Sequence, residues 1–185
     1  MSPARRKAEP VSPVAASVAA FLDLVDEQGF ARTSLAEVAE RAGLDLAELQ
    51  ALAPVKAALV GLASRTLDLE ARRATLGEDE DPHDRLFEAV MARLEAMAPR
   101  RETWLSLARA APLLTLAQMP FTVRALLDAA GLEASPPRAT ALLAVWARVT
   151  QVWRDDEGAL NRTMAEADRR LRQMREALGR IGAGF

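Results

Sequence analysis

Groups able to do acid-base, nucleophilic or metal chemistry are scarce in this chain. Its 185 residues include one histidine and no cysteine. His83 follows Pro82 in a charged stretch, where an imidazole more readily caps a helix or meets water than relays protons. Asp155 and Asp156 are adjacent, so they cannot face each other across a substrate as paired carboxylates do. With Glu157 they read as a helix-breaking turn and cap, and Asp168 reads as a surface partner for nearby arginines. The sequence has no G-x-S-x-G elbow, no metal-ligand spacing and no glycine-rich phosphate loop. An enzyme is not the expectation, and neither a cofactor nor a metal is called for.

What remains is binding chemistry. Trp104, Leu107, Leu114, Met119, Phe121, Leu126, Leu142, Trp146, Val149 and Trp153 are large apolar groups in the middle of the chain. They can line a cavity for a flexible hydrophobic molecule or pack as an ordinary core. Between Ala110 and Leu127 only Arg124 is charged, so a buried element or a cavity wall is expected there.

Near the C-terminus, Leu160, Met164, Ala167, Leu171, Met174, Leu178 and Ile181 recur at steps of four and three, as in a coiled-coil seam. Arg162, Arg169, Arg170, Arg172, Arg175 and Arg180 outnumber the carboxylates of Glu166, Asp168 and Glu176 on the other faces. Two readings stand. The seam packs on the body or on a second subunit, or the helix lies on an anionic membrane, where each basic group gains about 1 kcal/mol. In the second reading Leu171, Arg169, Arg170, Arg172, Met174 and Leu178 form the membrane-facing helix.

The elements that must position these groups are helices. Ala, Leu, Arg and Glu dominate, Tyr is absent, and β-branched residues are sparse. Residues 1–13, with three prolines and Arg5-Arg6-Lys7, read as a disordered arm. Val14, Val18, Phe21, Leu22 and Val25 share one face of a first helix that Gly29 ends. Ser34-Leu35-Ala36-Glu37 is a capping box that opens a short second helix, and Gly43 closes it. Asp45 caps a third helix over 46–52, before Pro54. This is a helix-turn-helix pattern.

A fourth helix is expected over 56–76, then an acidic loop, then a fifth from Pro82 with Leu86, Phe87, Val90, Met91, Leu94 and Met97 inward. Pro99, Pro112 and Pro120 should divide the middle into short helices. Ser135-Pro136 starts a long helix through Trp153, and a last one spans 159–180. About nine helices and no strand are predicted, with units at 14–55 and 56–185.

Half the residues are hydrophobic and the formal net charge is −2, so the chain as a whole does not attract nucleic acid. The sequence lacks a run of about 18 apolar residues for a membrane span and a secretory leader, so a cytoplasmic place is expected.

Residues 21–59, FLDLVDEQGFARTSLAEVAERAGLDLAELQALAPVKAAL, resemble the DNA-binding end of TetR-type regulators at Gly29, Phe30, Thr33, Ser34, Ala39, Arg41, Ala42, Gly43, Lys56 and Leu59. The resemblance implies an all-α, TetR-like fold: an N-terminal three-helix helix-turn-helix unit plus a larger helical ligand-binding domain, usually a homodimer. A TetR-type reading helix usually carries lysine and aromatic residues. Here Leu46, Gln50, Ala51, Leu52 and Ala53 hold those places. From residue 32 to 56, Arg32, Arg41 and Lys56 stand against Glu37, Glu40, Asp45 and Glu48, an acidic balance that opposes a duplex. As a regulator the chain would contact DNA through Thr33, Ser34, Gln50 and Lys56, with the basic arm in the minor groove.

Residues 84–101 (DRLFEAVMARLEAMAPRR) and 152–171 (VWRDDEGALNRTMAEADRRL) resemble a different family of the same fold, the lipid-binding accessory proteins of ubiquinone biosynthesis. Trp153, Asp155, Asp156, Thr163, Met164 and Asp168 carry that resemblance. It implies a bound isoprenoid quinone precursor or other apolar ligand, a quinone-pathway hydroxylase as partner, and a peripheral place on the cytoplasmic face of the membrane, docked through the last helix.

Overall fold

The computed structural model describes residues 12–75, 81–156 and 160–185. Among them are nine α-helices and no strand: α1 (Pro13–Gln28), α2 (Leu35–Ala42), α3 (Leu46–Leu52), α4 (Lys56–Ala74), α5 (Pro82–Met97), α6 (Arg101–Ala110), α7 (Pro112–Ala129), α8 (Pro136–Asp155) and α9 (Asn161–Arg180). One 3-10 turn, Ala98–Arg100, joins α5 to α6. Residues 1–11 of the expected arm, residues 76–80, which include most of the acidic loop expected over 77–82, and residues 157–159, where the last helix is expected to begin, lie outside the described residues.

Local chemistry accounts for most helix ends. Ser12 accepts from Ala15 N–H at 3.2 Å and Pro13 supplies the first residue, so α1 begins inside what the sequence suggested was arm. The predicted capping box is formed: Glu37 N–H donates to Ser34 Oγ at 3.3 Å and Ser34 N–H donates to Glu37 Oε2 at 2.9 Å. Gly43 ends α2 at φ 68°, where a side chain would be strained. At α3 the Glu48 carboxylate accepts from Asp45 N–H at 3.0 Å.

Pro120 does not divide the middle of the chain. It lies inside α7, a single helix of 18 residues. A proline removes one N–H, and the carbonyl left over is that of residue 116. Leu116 and Pro120 both lie on the exposed side of α7, so water can take that carbonyl's hydrogen bond.

Two apolar cores form. Phe21, Val25, Val38, Leu49 and Leu59 centre the N-terminal one, joined by Leu107 from α6. Leu86, Leu94, Leu126, Leu142 and Leu171 centre the larger one, built from α5, α7, α8 and α9 with Ala71 of α4. α4 therefore belongs to both cores. Among the described residues no single helix is long and apolar enough to cross a membrane.

Candidate functional site

A cavity of about 400 Å³ opens between α4, α5, α6, α7 and α8. The indoles of Trp104, Trp146 and Trp153, with Leu107, Met97 and Met119, supply its apolar wall. Ser64, Arg93, Gln118, Thr122, Thr150 and Gln151 supply polar atoms, and its lining residues include two arginines, Arg93 and Arg154, but no carboxylate. The size is in the range of small-molecule sites.

The ten apolar positions singled out in the sequence fall in three places. Trp104, Leu107, Met119, Trp146 and Trp153 line the cavity. Leu126, Leu142 and Val149 are fully buried in the larger core, and Leu114 packs against the N-terminal one. Phe121 points outward and is 67% exposed. It is joined on α7 by Leu113, 79% exposed, and Leu116, 56% exposed. The segment expected to be buried thus has one face on the cavity and an apolar face in solvent, and Leu116 belongs to both.

Arg93 was not singled out in the sequence, and it organises the polar wall. Its Nη2 donates to Ser64 Oγ at 2.9 Å and Thr122 Oγ1 at 3.0 Å, and its Nη1 donates to the Ser64 carbonyl at 3.1 Å. Asp68 Oδ1 lies 2.6 Å from Nη1 as an ion pair without hydrogen-bond alignment. The guanidinium sits 5.4 Å from the Trp146 ring centroid. Burial lowers the Arg93 pKa to about 10, opposed by the Asp68 charge, so the group is still a cation at neutral pH. Burial likewise raises the Asp68 pKa, against the pull of Arg93. A signal for Arg93 was present: it stands three residues after Val90 and four before Met97, on the inward face of α5.

The helix-turn-helix residues are engaged within the protein. Lys56 Nζ donates to the carbonyls of Phe30 at 2.6 Å, Ala31 at 3.2 Å and Thr33 at 2.8 Å, and lies 4.4 Å from the Phe30 ring centroid. An ammonium has three N–H groups, so all are used. Thr33 is buried and its hydroxyl donates to the Gly29 carbonyl at 3.0 Å. Ser34 caps α2, and Arg41 is paired with Glu27. Gln50 alone among the four candidate contacts is exposed and free of such an engagement.

The middle of the α9 seam turns inward, while Met164 and Ile181 at its two ends stay exposed. Leu171, Met174 and Leu178 are buried in the larger core against α5 and α8. That packing leaves these three unavailable to a membrane, contrary to the membrane-facing arrangement considered from sequence. Arg169, Arg170 and Arg148 converge on the Glu166 carboxylate, with Arg170 Nε at 2.9 Å and Arg148 Nε at 3.2 Å. The Arg169 and Arg170 hydrogen bonds, opposed by burial, hold Glu166 down to about 2. Arg172 pairs with Asp168, and Arg175 reaches Asp81 at the start of α5 at 2.9 Å. Asp156 Oδ2 accepts from Thr163 N–H at 2.9 Å and from its hydroxyl at 2.7 Å, tying the start of α9 to the end of α8. The backbone between them turns through Leu160 at φ 52°.

Solved structures match this arrangement over about nine-tenths of the chain. A TetR transcriptional regulator from Nitrosomonas europaea superposes with a TM-score of 0.66 at 19% identity, over 88% of this chain and 98% of that one. The chain has the TetR fold. A TetR transcriptional regulator from Rhodococcus sp. RHA1 gives 0.63 at 18% identity, over 88% of this chain and 94% of that one. A TetR-family regulator from Streptomyces coelicolor gives 0.54 at 21%, over 91% and 97%. No family model and no curated protein matches the sequence. In this chain α1–α3 carry the helix-turn-helix pattern and the cavity lies among α4–α8. Among the described residues no cluster of three or more acidic or histidine side chains could hold a metal ion.

Proposed function

We propose that this TetR-fold protein is a hydrophobic-ligand carrier, serving as a lipid-binding accessory protein that presents an isoprenoid quinone precursor to a hydroxylase of that pathway. The observation that carries the reading is the indole-lined cavity of about 400 Å³ beside the exposed apolar face of α7. A site of that size encloses a ring and the nearest part of its tail. The remainder of a long isoprene chain would lie along Leu113, Leu116 and Phe121. That face, rather than α9, is then where the ligand passes to and from a bilayer. The isoprenoid class rests on the sequence resemblance carried by residues 84–101 and 152–171.

The helix-turn-helix unit supports the same reading. Affinity for a duplex comes largely from cations placed on phosphates. Lys56 and Arg41 are engaged internally, and the segment from 32 to 56 is net acidic. A fold used for its hollow body needs no phosphate contacts.

One observation favours a second reading: the structural neighbours are transcriptional regulators by name. In that reading the chain is a homodimeric repressor whose cavity takes a small apolar effector, and Gln50 is left to read a base edge. Transfer of a fluorescent isoprenoid-tailed quinone between vesicles separates the two. Acceleration by the protein supports the carrier. No acceleration, together with salt-dependent retention of a palindromic duplex, supports the repressor.

A further inference from the structure

We infer that Ser64, Arg93 and Thr122 form a head-group site that takes a ligand through oxygen acceptors, a carbonyl or a carboxylate, and rejects a cationic head. The inference rests on the carrier reading and adds the polarity of the ligand's anchored end. The three side chains are built into the wall, with exposures of 7% for Ser64, 4% for Arg93 and 2% for Thr122.

Donor and acceptor accounting gives the direction. A hydroxyl offers one hydrogen and two lone pairs, and a guanidinium offers only hydrogens. Ser64 Oγ and Thr122 Oγ1 both accept from Arg93 Nη2. Each therefore keeps its own hydrogen, for which no acceptor is present among the described residues. Arg93 Nε is buried and without a partner. Gln151 Oε1, on the cavity's rim, already accepts from Arg148 Nη1 at 2.9 Å. At the Ser64–Arg93–Thr122 corner the unspent hydrogens are therefore those of the two hydroxyls and of Arg93 Nε, whereas Thr115 and Thr150, elsewhere on the wall, spend theirs on the Ala111 and Trp146 carbonyls. The lining residues include no carboxylate that could receive an ammonium. Buried donors without acceptors are costly, so a ligand oxygen at this wall removes a penalty that a donor head would leave in place.

The test uses the full chain and four probes of equal chain length: a fatty acid, an alkyl quinone, an alkyl amine and the plain alkane. Competition with an environment-sensitive apolar dye reads their affinities. The quinone or the fatty acid should bind at least about ten-fold tighter than the amine. Which of the two is tighter tells whether the natural head is a carbonyl or an acid. Thr122→Val and, independently, Ser64→Ala should weaken the favoured probe several-fold and leave the alkane unchanged. Amine binding as tight as that of the oxygen-headed probes, or alkane binding as tight as all three, overturns the inference while leaving the carrier intact. Failure of every probe, the alkane included, overturns the carrier reading as well.

Discussion

Lys56 Nζ donates to the Thr33 carbonyl at 2.8 Å, and with two further carbonyls and the Phe30 ring it closes the turn between α1 and α2 from inside. A lysine at the mouth of a helix-turn-helix unit thereby becomes a structural clamp. Lys56→Met should lower unfolding free energy by about 1.5–3 kcal/mol, the range for hydrogen bonds to a charged group. Urea denaturation measures this. Wild-type stability in that variant, with weakened duplex binding, would mean that Lys56 serves DNA.

Filling the cavity should separate binding from folding. Ala108 lines it and is half-buried, so Ala108→Phe puts a ring into space a ligand would use. Lipid carried through purification should fall several-fold while the melting temperature moves by only a few degrees. Leu126→Ala and Leu142→Ala do the reverse. Both leucines are fully buried outside the cavity lining, and each truncation should cost about 2–5 kcal/mol while ligand per folded molecule is kept.

The apolar face of α7 should control exchange with bilayers. Leu113→Asp with Phe121→Asp changes two exposed side chains, so stability should stay within about 1 kcal/mol while vesicle flotation or lipid transfer is lost. Arg169→Glu with Arg170→Glu should instead lower the melting temperature, because Glu166 loses two of its three cations, and leave vesicle binding unchanged. Loss of vesicle binding in the arginine variant without destabilisation would return the membrane role to α9.

Acid should loosen the α8–α9 pair. Glu166 is held at about 2 against an ordinary 4.5, so the unfolded chain takes up its proton first. The stability it contributes is complete above pH 4.5 and is lost as pH falls towards about 2. Asp156, also held below its ordinary range by the Thr163 hydroxyl, acts in the same direction. Glu166→Gln should flatten the fall in melting temperature between pH 5 and 2, measured by circular dichroism.

The helix-turn-helix unit was legible because its signals are local. Ser34 with Glu37, Gly29 and Gly43 act over one turn of chain, and the structure has all of them in the predicted roles. Pro120 misled because a proline ends a helix only where its lost hydrogen bond has no substitute, and exposure of the Leu116 carbonyl depends on tertiary context. The α9 seam was visible as a period of four and three, but a period does not say what covers the face. α5 and α8 cover it.

The cavity was half legible for the same reason. Trp104 and Trp146 line it, whereas Leu126 and Leu142, of the same residue class and spacing, pack as solid core. The charge of Arg93 is no signal of a cavity wall in the sequence, although its position on the inward face of α5 marks it. Only the fold shows that Ser64, from α4, and Thr122, from α7, meet it there.

The most direct measurement is mass spectrometry of organic extracts of the purified chain, set beside a mock purification and beside Ala108→Phe. An isoprenoid lipid with an oxygen-bearing head should be enriched in the wild-type extract and depleted in the variant. An extract no richer than the mock, from protein that retains a palindromic duplex in a salt-dependent way, would contradict the carrier reading.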